Sequence, residues 1–318
     1  MRIWKNSRWD ALLLLYSVAQ FAAMVWLAAR WPHASVPERV AGYVALPVLM
    51  AYNVIVVSHL FTHVPWFTSG VLNGMASVLN SANIGQSVQA YQLTHVREHH
   101  RFNNDAAGPD GTTRDLTSTY RGGRDGGHAQ LLPYAVGGAW ESFVDRGRET
   151  LETFVLWRVG RRESRLLSLA SRRDARRSRE LGQVRLDRAA HTVSLALFAV
   201  LSWQWTLLCY LPMFFVALAM VNVQNYYRHY GANPDERAAD SVSHYGRLYN
   251  LLTFNDGYHQ EHHLSPTSHW SRMPTVRQRH GDRLAAQPRI VSPVPAMLGF
   301  LHRDRPLLHE NAEIGGRA

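Results

Sequence analysis

Two residue types are almost missing from this chain: Cys209 is its only cysteine and Lys5 its only lysine. One cysteine excludes an internal disulfide, a cysteine-built zinc site and an iron–sulfur cluster. Cys209 lies in an apolar run and reads as a packing residue. Acid is scarce as well. The 24 Asp and Glu face 34 basic residues, for a formal net charge of +10 carried almost wholly by arginine. There is no Gly-rich fingerprint for a flavin or nicotinamide and no repeat of fixed period. A slightly negative mean hydropathy excludes a chain embedded in lipid throughout. The 318 residues suffice for one large domain or two small ones.

What is present is unevenly spread, with apolar blocks alternating with Arg-rich blocks. A basic balance suits nucleic acid or a membrane protein with a basic cytoplasmic face, and the apolar blocks favour the second. Trp9 to Trp31 is long enough to cross about 30 Å of hydrocarbon at about 1.5 Å per residue. Its flanking tryptophans look like interface anchors, and the lack of a small-residue cleavage site makes it a retained span. Val40 to His59 is the second run, with Pro47 a kink site, and its helix is expected to continue far enough to carry His59 and His63. Residues 67–92 mix apolar residues at near-helical spacing with Asn73, Ser77, Asn80, Asn83, Gln86 and Gln89, which suit either a substrate channel or polar helix packing. Residues 103–127 are loop, and Leu131 to Leu156 is amphipathic. Arg158 to Arg188 is strongly basic, fitting a solvated helix near anionic lipid or a docking face for an acidic partner. Ala189 to Tyr227 is too long for one span, and a turn near Ser202 to Trp205 would split it into two. All dense positive charge then falls on one side of the membrane.

The expected fold is therefore all-α and integral to the membrane. Four transmembrane helices form two hairpins (9–60 and 189–228) in a single domain. A cytosolic helical cap (61–188 and 229–318) carries the histidines, and the residues after Pro306 form a loose tail.

Nine of the seventeen histidines fall in four clusters. His59-x-x-x-His63 lies at the mouth of the second span. His95-x-x-x-His99-His100 follows the mixed segment. Asn225-x-x-x-His229 ends the last span, and His259-x-x-His262-His263 lies beyond it. On a helix, positions i, i+3 and i+4 share one face, so the last trio points three imidazoles one way. Neutral imidazole is a ligand for iron, zinc, copper and nickel. A single pair is equally well a surface feature, but four clusters in one membrane protein nominate a metal site. Nine ligands suit two metals rather than one. An all-imidazole shell leaves the metal charge largely uncompensated, which favours redox iron over closed structural zinc. Glu98 and Glu261, inside clusters, are expected to orient imidazoles. Asp105, Asp110 and Asp256 have weaker claims.

With these residues laid out, the chain resembles the membrane fatty-acid desaturase and alkane hydroxylase superfamily. The resemblance runs from about His59 to Pro274. His59 and His63 look like a first histidine box, His95, His99 and His100 like a second, and His259, His262 and His263 like a third. His229 is similar to the extra ligand before the third box, and Asn225 to an asparagine that reaches one metal through water. The 224–231 segment resembles bacterial alkane hydroxylases, and 258–266 the acyl-lipid desaturases. The second box departs slightly, with three residues between its first two histidines where two is common. The resemblance implies a non-haem di-iron centre, O2 as co-substrate and no catalytic residue outside the metal shell. It also implies an acyl chain held in an apolar tunnel. The reaction implied is introduction of a double bond into a fatty acyl or lipid chain, with hydroxylation of such a chain as the alternative. Electrons are expected from a separate ferredoxin-, rubredoxin- or cytochrome-like protein at the basic face. A bacterial inner membrane with the cap and both termini cytoplasmic is the expected location. A zinc-dependent membrane hydrolase is a rival class needing about three ligands and an open water position. A metal carrier or nucleic-acid binder would leave the spans unexplained.

Overall fold

The structure, a computed structural model, describes residues 2–155 and 161–309, without the side chains of 154, 155 and 161–164. Arg158, the side chains of Arg161 and Arg162, Leu156 and the tail from residue 310 onward therefore lie outside the description. The chain is mostly helical, and three helical stretches are long and apolar enough to cross a membrane among the described residues. These are Asp10–His33, Val36–His63 and Trp203–His229.

The local reasons are visible in the sequence. Asp10 in the first turn and Arg30 in the last match the ends of the Asp10–Arg30 helix dipole. Ser35 and Glu38 form a reciprocal capping box at the start of the Val36–Tyr52 helix. Pro47 is accommodated inside that helix, which runs on through a π-helical turn, Asn53–Ser58, into His59–His63. The expected continuation that carries both histidines is thus present. Trp9 is exposed, whereas Trp31 is buried against the Tyr43 ring with Arg39 over its face. Trp31 is therefore a packing residue and not an interface anchor.

The turn foreseen near Ser202 is there. Ser202 breaks to extended backbone and its hydroxyl accepts the Trp205 N–H, restarting the helix. The segment before it differs from expectation. It is the end of one 28-residue helix, Asp174–Leu201, that begins among the arginines. Its apolar part from Ala189 rises only about 20 Å, short of a bilayer core. That explains why three stretches, not four, meet the length and hydropathy needed.

The chain divides into two compact units. The first comprises residues 1–94 and 139–220, the second 95–138 and 221–318. In the first, the polar residues of the mixed segment pack helices instead of opening a channel. Ser17 Oγ donates to Asn80 Oδ1 (2.7 Å), and Asn83 Nδ2 to the Ser17 carbonyl (2.8 Å). Asn53 Nδ2 donates to Gln20 Oε1 (2.7 Å) and Ser58 Oγ to Asn53 Oδ1 (2.7 Å). With no water in hydrocarbon, such groups stay only when paired inside the protein.

Asp187, fully buried, performs the same task at the start of the Val88–Thr94 helix. It accepts from Ser77 Oγ, Ser87 Oγ, the Gln89 N–H and Gln183 Nε2 at 2.8–3.0 Å. Asp187→Ala orphans these donors together, so a loss of about 3 kcal/mol is expected, against little for Asp187→Asn. Thermal unfolding of the two variants in detergent measures it. Arg188 and Arg146 close on Glu149 at 3.2 and 2.8 Å, all three nearly buried. The C-terminal end of the basic stretch is therefore internal, not a solvated face.

The second unit is built around short helices. Two parallel two-residue strands, Val242–Ser243 and Ile290–Val291, pair near a small core of Ala232, Val242 and Ile290.

Candidate metal centre

The second unit gathers seven of the nine clustered histidines. The second box sits on a π-helical turn, His95–His99, leading into His100–Phe102. A regular α-helix would turn residues five apart away from each other. A π turn, with its i to i+5 bonding, brings them together. His95 Nε2 and His100 Nε2 accordingly lie 3.3 Å apart. This accounts physically for the extra residue in H-x-x-x-H-H. Beyond the box, Asn103 and Asn104 take positive φ (50° and 62°), turning the chain out of the helix.

The third box forms the expected α-helix, His259–Leu264, with all three histidines buried. The chain enters it through a left-handed pair, Phe254 and Asn255 (φ 53° and 62°). Gly257 follows, where a Cβ would stand 2.2 Å from the His244 carbonyl oxygen, so only glycine fits. His229 arrives from the last turn of the Leu211–His229 helix.

Two groups of imidazoles result in this unit. In one, His100 Nε2 lies 3.3 Å from His95 Nε2 and 3.1 Å from His262 Nε2. In the other, nitrogens of His99, His229 and His263 lie within 4.8 Å of one another. Both boxes are shared out, His95, His100 and His262 going to one group and His99 and His263 to the other. His259 adjoins the second group, its Nε2 3.4 Å from His229 Nε2 and its ring centroid 4.6 Å from that of His263. His59 and His63 lie in the first unit, one turn apart with perpendicular rings 5.1 Å between centroids. Asn225 Nδ2 donates to the Thr117 carbonyl (3.1 Å) and Tyr134 Oη (2.6 Å).

The donor set fits metal. Among the described residues, Nε2 of His99 is buried with no hydrogen-bond partner, while its Nδ1 is taken by Asp115 Oδ2 at 2.7 Å. His229 is oriented in the same way, Nδ1 meeting the Asp240 carbonyl at 3.0 Å and leaving Nε2 inward. Nitrogens facing one another at such distances, with His99 and His229 held from behind, are able to hold a cation. Burial, then the charge of Arg228, keeps His259 well below the usual histidine range, hence neutral and able to ligate.

Two carboxylates behind the rings, Asp115 and Asp240, are ones the spacing does not nominate. Glu261 accepts from Tyr245 Oη (2.6 Å) and Ser243 Oγ (3.0 Å), fixing the box helix rather than an imidazole. Glu98 Oε1 lies 3.5 Å from the Leu116 N–H. Asp105 binds Arg114 and the Asp115 N–H, Asp110 caps its own exposed turn, and Asp256 pairs with Arg228 and Tyr249. Asp115 and Asp240 hold the ring-facing places, Asp240 Oδ1 lying 3.4 Å from His263 Nδ1. Burial would raise Asp115, but His99 and the Thr117 donors outweigh it and hold the carboxyl well below its ordinary range. Burial pushes Asp240 up to about 7. Neither residue stands in a motif, so nothing in the sequence singled them out.

His128, one of the scattered histidines, braces this loop. Its Nε2 accepts the Gly231 N–H (2.9 Å) and Nδ1 meets Thr119 Oγ1 (2.7 Å), while Thr119 donates to Asn104. Burial, then His309, lowers its pKa from 6.5 to about 3. The unfolded chain takes up this proton below pH 6.5 and the folded chain does not. Stability from His128 is therefore complete above pH 6.5 and is lost progressively as pH falls towards 3. In His128→Gln the dependence of stability on pH between 6.5 and 5 is expected to flatten, by up to about 1.4 kcal/mol per pH unit. Melting curves at stepped pH test this.

Residues 35–293 match the family model described as fatty acid desaturase, a stretch that contains all nine clustered histidines. The chain belongs to the fatty acid desaturase family. Among curated relatives, it is 33% identical to a sphingolipid delta(4)-desaturase of Komagataella phaffii over 86 residues, 27% of this chain and 24% of that protein. It is 36% identical to a sphingolipid delta(4)-desaturase of Candida albicans over 66 residues, 21% of this chain and 18% of the relative. The matches thus span about a quarter or less of these relatives. No solved structure matches the chain.

Proposed function

We propose that this protein is an O2-dependent di-iron desaturase that introduces a double bond into the aliphatic chain of a fatty acyl or other lipid substrate. The observation that carries the reading is the pair of buried imidazole groups that share out the second and third boxes. His95, His100 and His262 would hold one iron and His99, His229 and His263, with His259, the other. His59 and His63 are the remaining proposed iron ligands, with Asn225 acting through water. When bound, the irons supply the redox chemistry by which O2 attacks an unactivated C–H bond. Two adjacent carbons each lose a hydrogen, two electrons and two protons enter from outside, and O2 leaves as two waters. The protein's own part is to hold each ring in one tautomer, to keep imidazoles neutral by burial and to exclude bulk water.

Four helices cross the bilayer in this reading, Asp174–Leu201 being the fourth and reaching across only with its residues before Ala189 counted, with the histidine-bearing part and both termini cytoplasmic, as in a bacterial inner membrane. The substrate is a membrane lipid chain, in keeping with the lipid in the relatives' names. An acidic ferredoxin-, rubredoxin- or cytochrome-like donor docks by charge on the arginine face. Neutralising Arg172, Arg173 and Arg177 is expected to weaken donor coupling and flatten its salt dependence, while Arg176, held by Glu180 at 2.9 Å, contributes less. Turnover assays at stepped ionic strength report on this.

The deciding experiment is lipid and alkane profiling of cells expressing the chain, with metal analysis of the purified protein. A new double bond together with iron supports the proposal. A new hydroxyl transfers it to hydroxylation on the same scaffold. Zinc alone, with hydrolysed lipid, sinks it.

A further inference from the structure

Two short segments of the second unit expose large apolar side chains. The Arg247–Leu252 helix shows Leu248, Leu251 and Leu252 at 71%, 76% and 59% exposure. The spacing i, i+3 and i+4 gathers these leucines on one face. The Ala296–Leu301 3-10 segment exposes Leu298, Phe300 and Leu301. Six large hydrophobic residues on two short elements exceed what isolated surface apolar residues explain.

Both segments hang on the last turns of the membrane-crossing stretch Trp203–His229. Gln224 Nε2 donates to Tyr249 Oη at 3.1 Å, tying the first segment to the span. Gly299 lies so close to the Tyr227 ring that a Cβ would stand 2.2 Å from it, tying the second. Arg305 Nη1 adds a bond to the Tyr227 carbonyl at 2.7 Å. Gln224 and Tyr227 are about 5 Å apart along the helix. Both attachments therefore fall at one depth, at the end of the span. Arg247, exposed beside Leu248, supplies a charge suited to anionic headgroups.

We infer that Leu248, Leu251, Leu252, Leu298, Phe300 and Leu301 form a lipid-docking patch by which the histidine-bearing unit dips into the boundary between headgroups and acyl chains. Continuity with the end of a span selects the bilayer as the occupant over a protein partner. Side chains at this depth insert by about 5–10 Å. The inference rests on the membrane reading of Trp203–His229 and is independent of the metal chemistry.

The test uses the full chain in nanodiscs containing anionic lipid. In a Cys209→Ala background, Leu251→Cys and Phe300→Cys carry nitroxide labels, with Leu15→Cys in the first span and Arg283→Cys on the polar exterior as references. Relaxation by O2, which concentrates in lipid, is compared with relaxation by a water-soluble nickel chelate. The expected result is an O2-to-nickel ratio at 251 and 300 several-fold above that at 283 and approaching that at 15. Ratios equal to that at 283 overturn the patch, and so does protection from both reagents, which means a protein covers it. Nickel-accessible labels at 15 and at a further reference in the Trp203–His229 stretch, Leu208→Cys, instead overturn the membrane reading itself. Two labelled positions guard against one variant failing to fold, monitored by monodispersity in detergent.

Discussion

Replacing His262 with alanine is expected to reduce product formation to background and to cut bound iron to about half. His262 comes from the third box, yet its Nε2 lies 3.1 Å from His100 Nε2 of the second box, 162 residues away in sequence. Removing it takes a ligand from the group with His95 and His100 and leaves the group of His99, His229 and His263 whole. The residue is buried in a short helix whose other contacts stay, so thermal stability of the apo-protein should change little beside the loss of metal. Iron per chain and the product profile are the two readouts. Full iron with full turnover in His262→Ala would remove the proposed role of this group.

The second large effect is expected at Asp115, which no motif marks. Its Oδ2 accepts from His99 Nδ1 (2.7 Å) and the Asn104 N–H (3.0 Å), and its Oδ1 from the Thr117 N–H and hydroxyl (both 2.8 Å). The carboxylate fixes the His99 proton on Nδ1 and aims Nε2 at His229 and His263. Partners placed behind a ligating imidazole typically govern metal affinity by 10- to 100-fold. Asp115→Ala is expected to lose iron to a competing chelator with about that penalty, and Asp115→Asn, which still accepts from His99, with less. If both variants retain iron as the native chain does, with unchanged spectra, then Asp115 serves the loop alone. Melting temperature distinguishes a loosened loop from a loosened ligand.

Much of the site was legible from spacing. H-x-x-H-H on an α-helix gives one face by geometry alone, and the His259–Leu264 helix obeys it. The break near Ser202 was legible because Ala189 to Tyr227 is too long for one span. Other features depended on partners far along the chain. Asn80 and Asn83 read equally well as channel lining or as packing until Ser17 was seen to meet both. The direction of Glu261 was hidden for the same reason, since Tyr245 and Ser243 draw it away from the rings. Arg188 looked like one more cytoplasmic charge and is internal because Glu149 is there to meet it.

By itself the sequence determined the helical character, the apolar stretches, the identity of the clustered imidazoles and the family. These follow from local periodicity, composition and residue type. Only the tertiary structure decided how the boxes are shared between two groups, which carboxylates stand behind the rings and which leucines remain uncovered. Those are matters of distance between segments up to 162 residues apart. A π turn of one extra residue, invisible to a rule of 3.6 residues per turn, is what lets His95 meet His100.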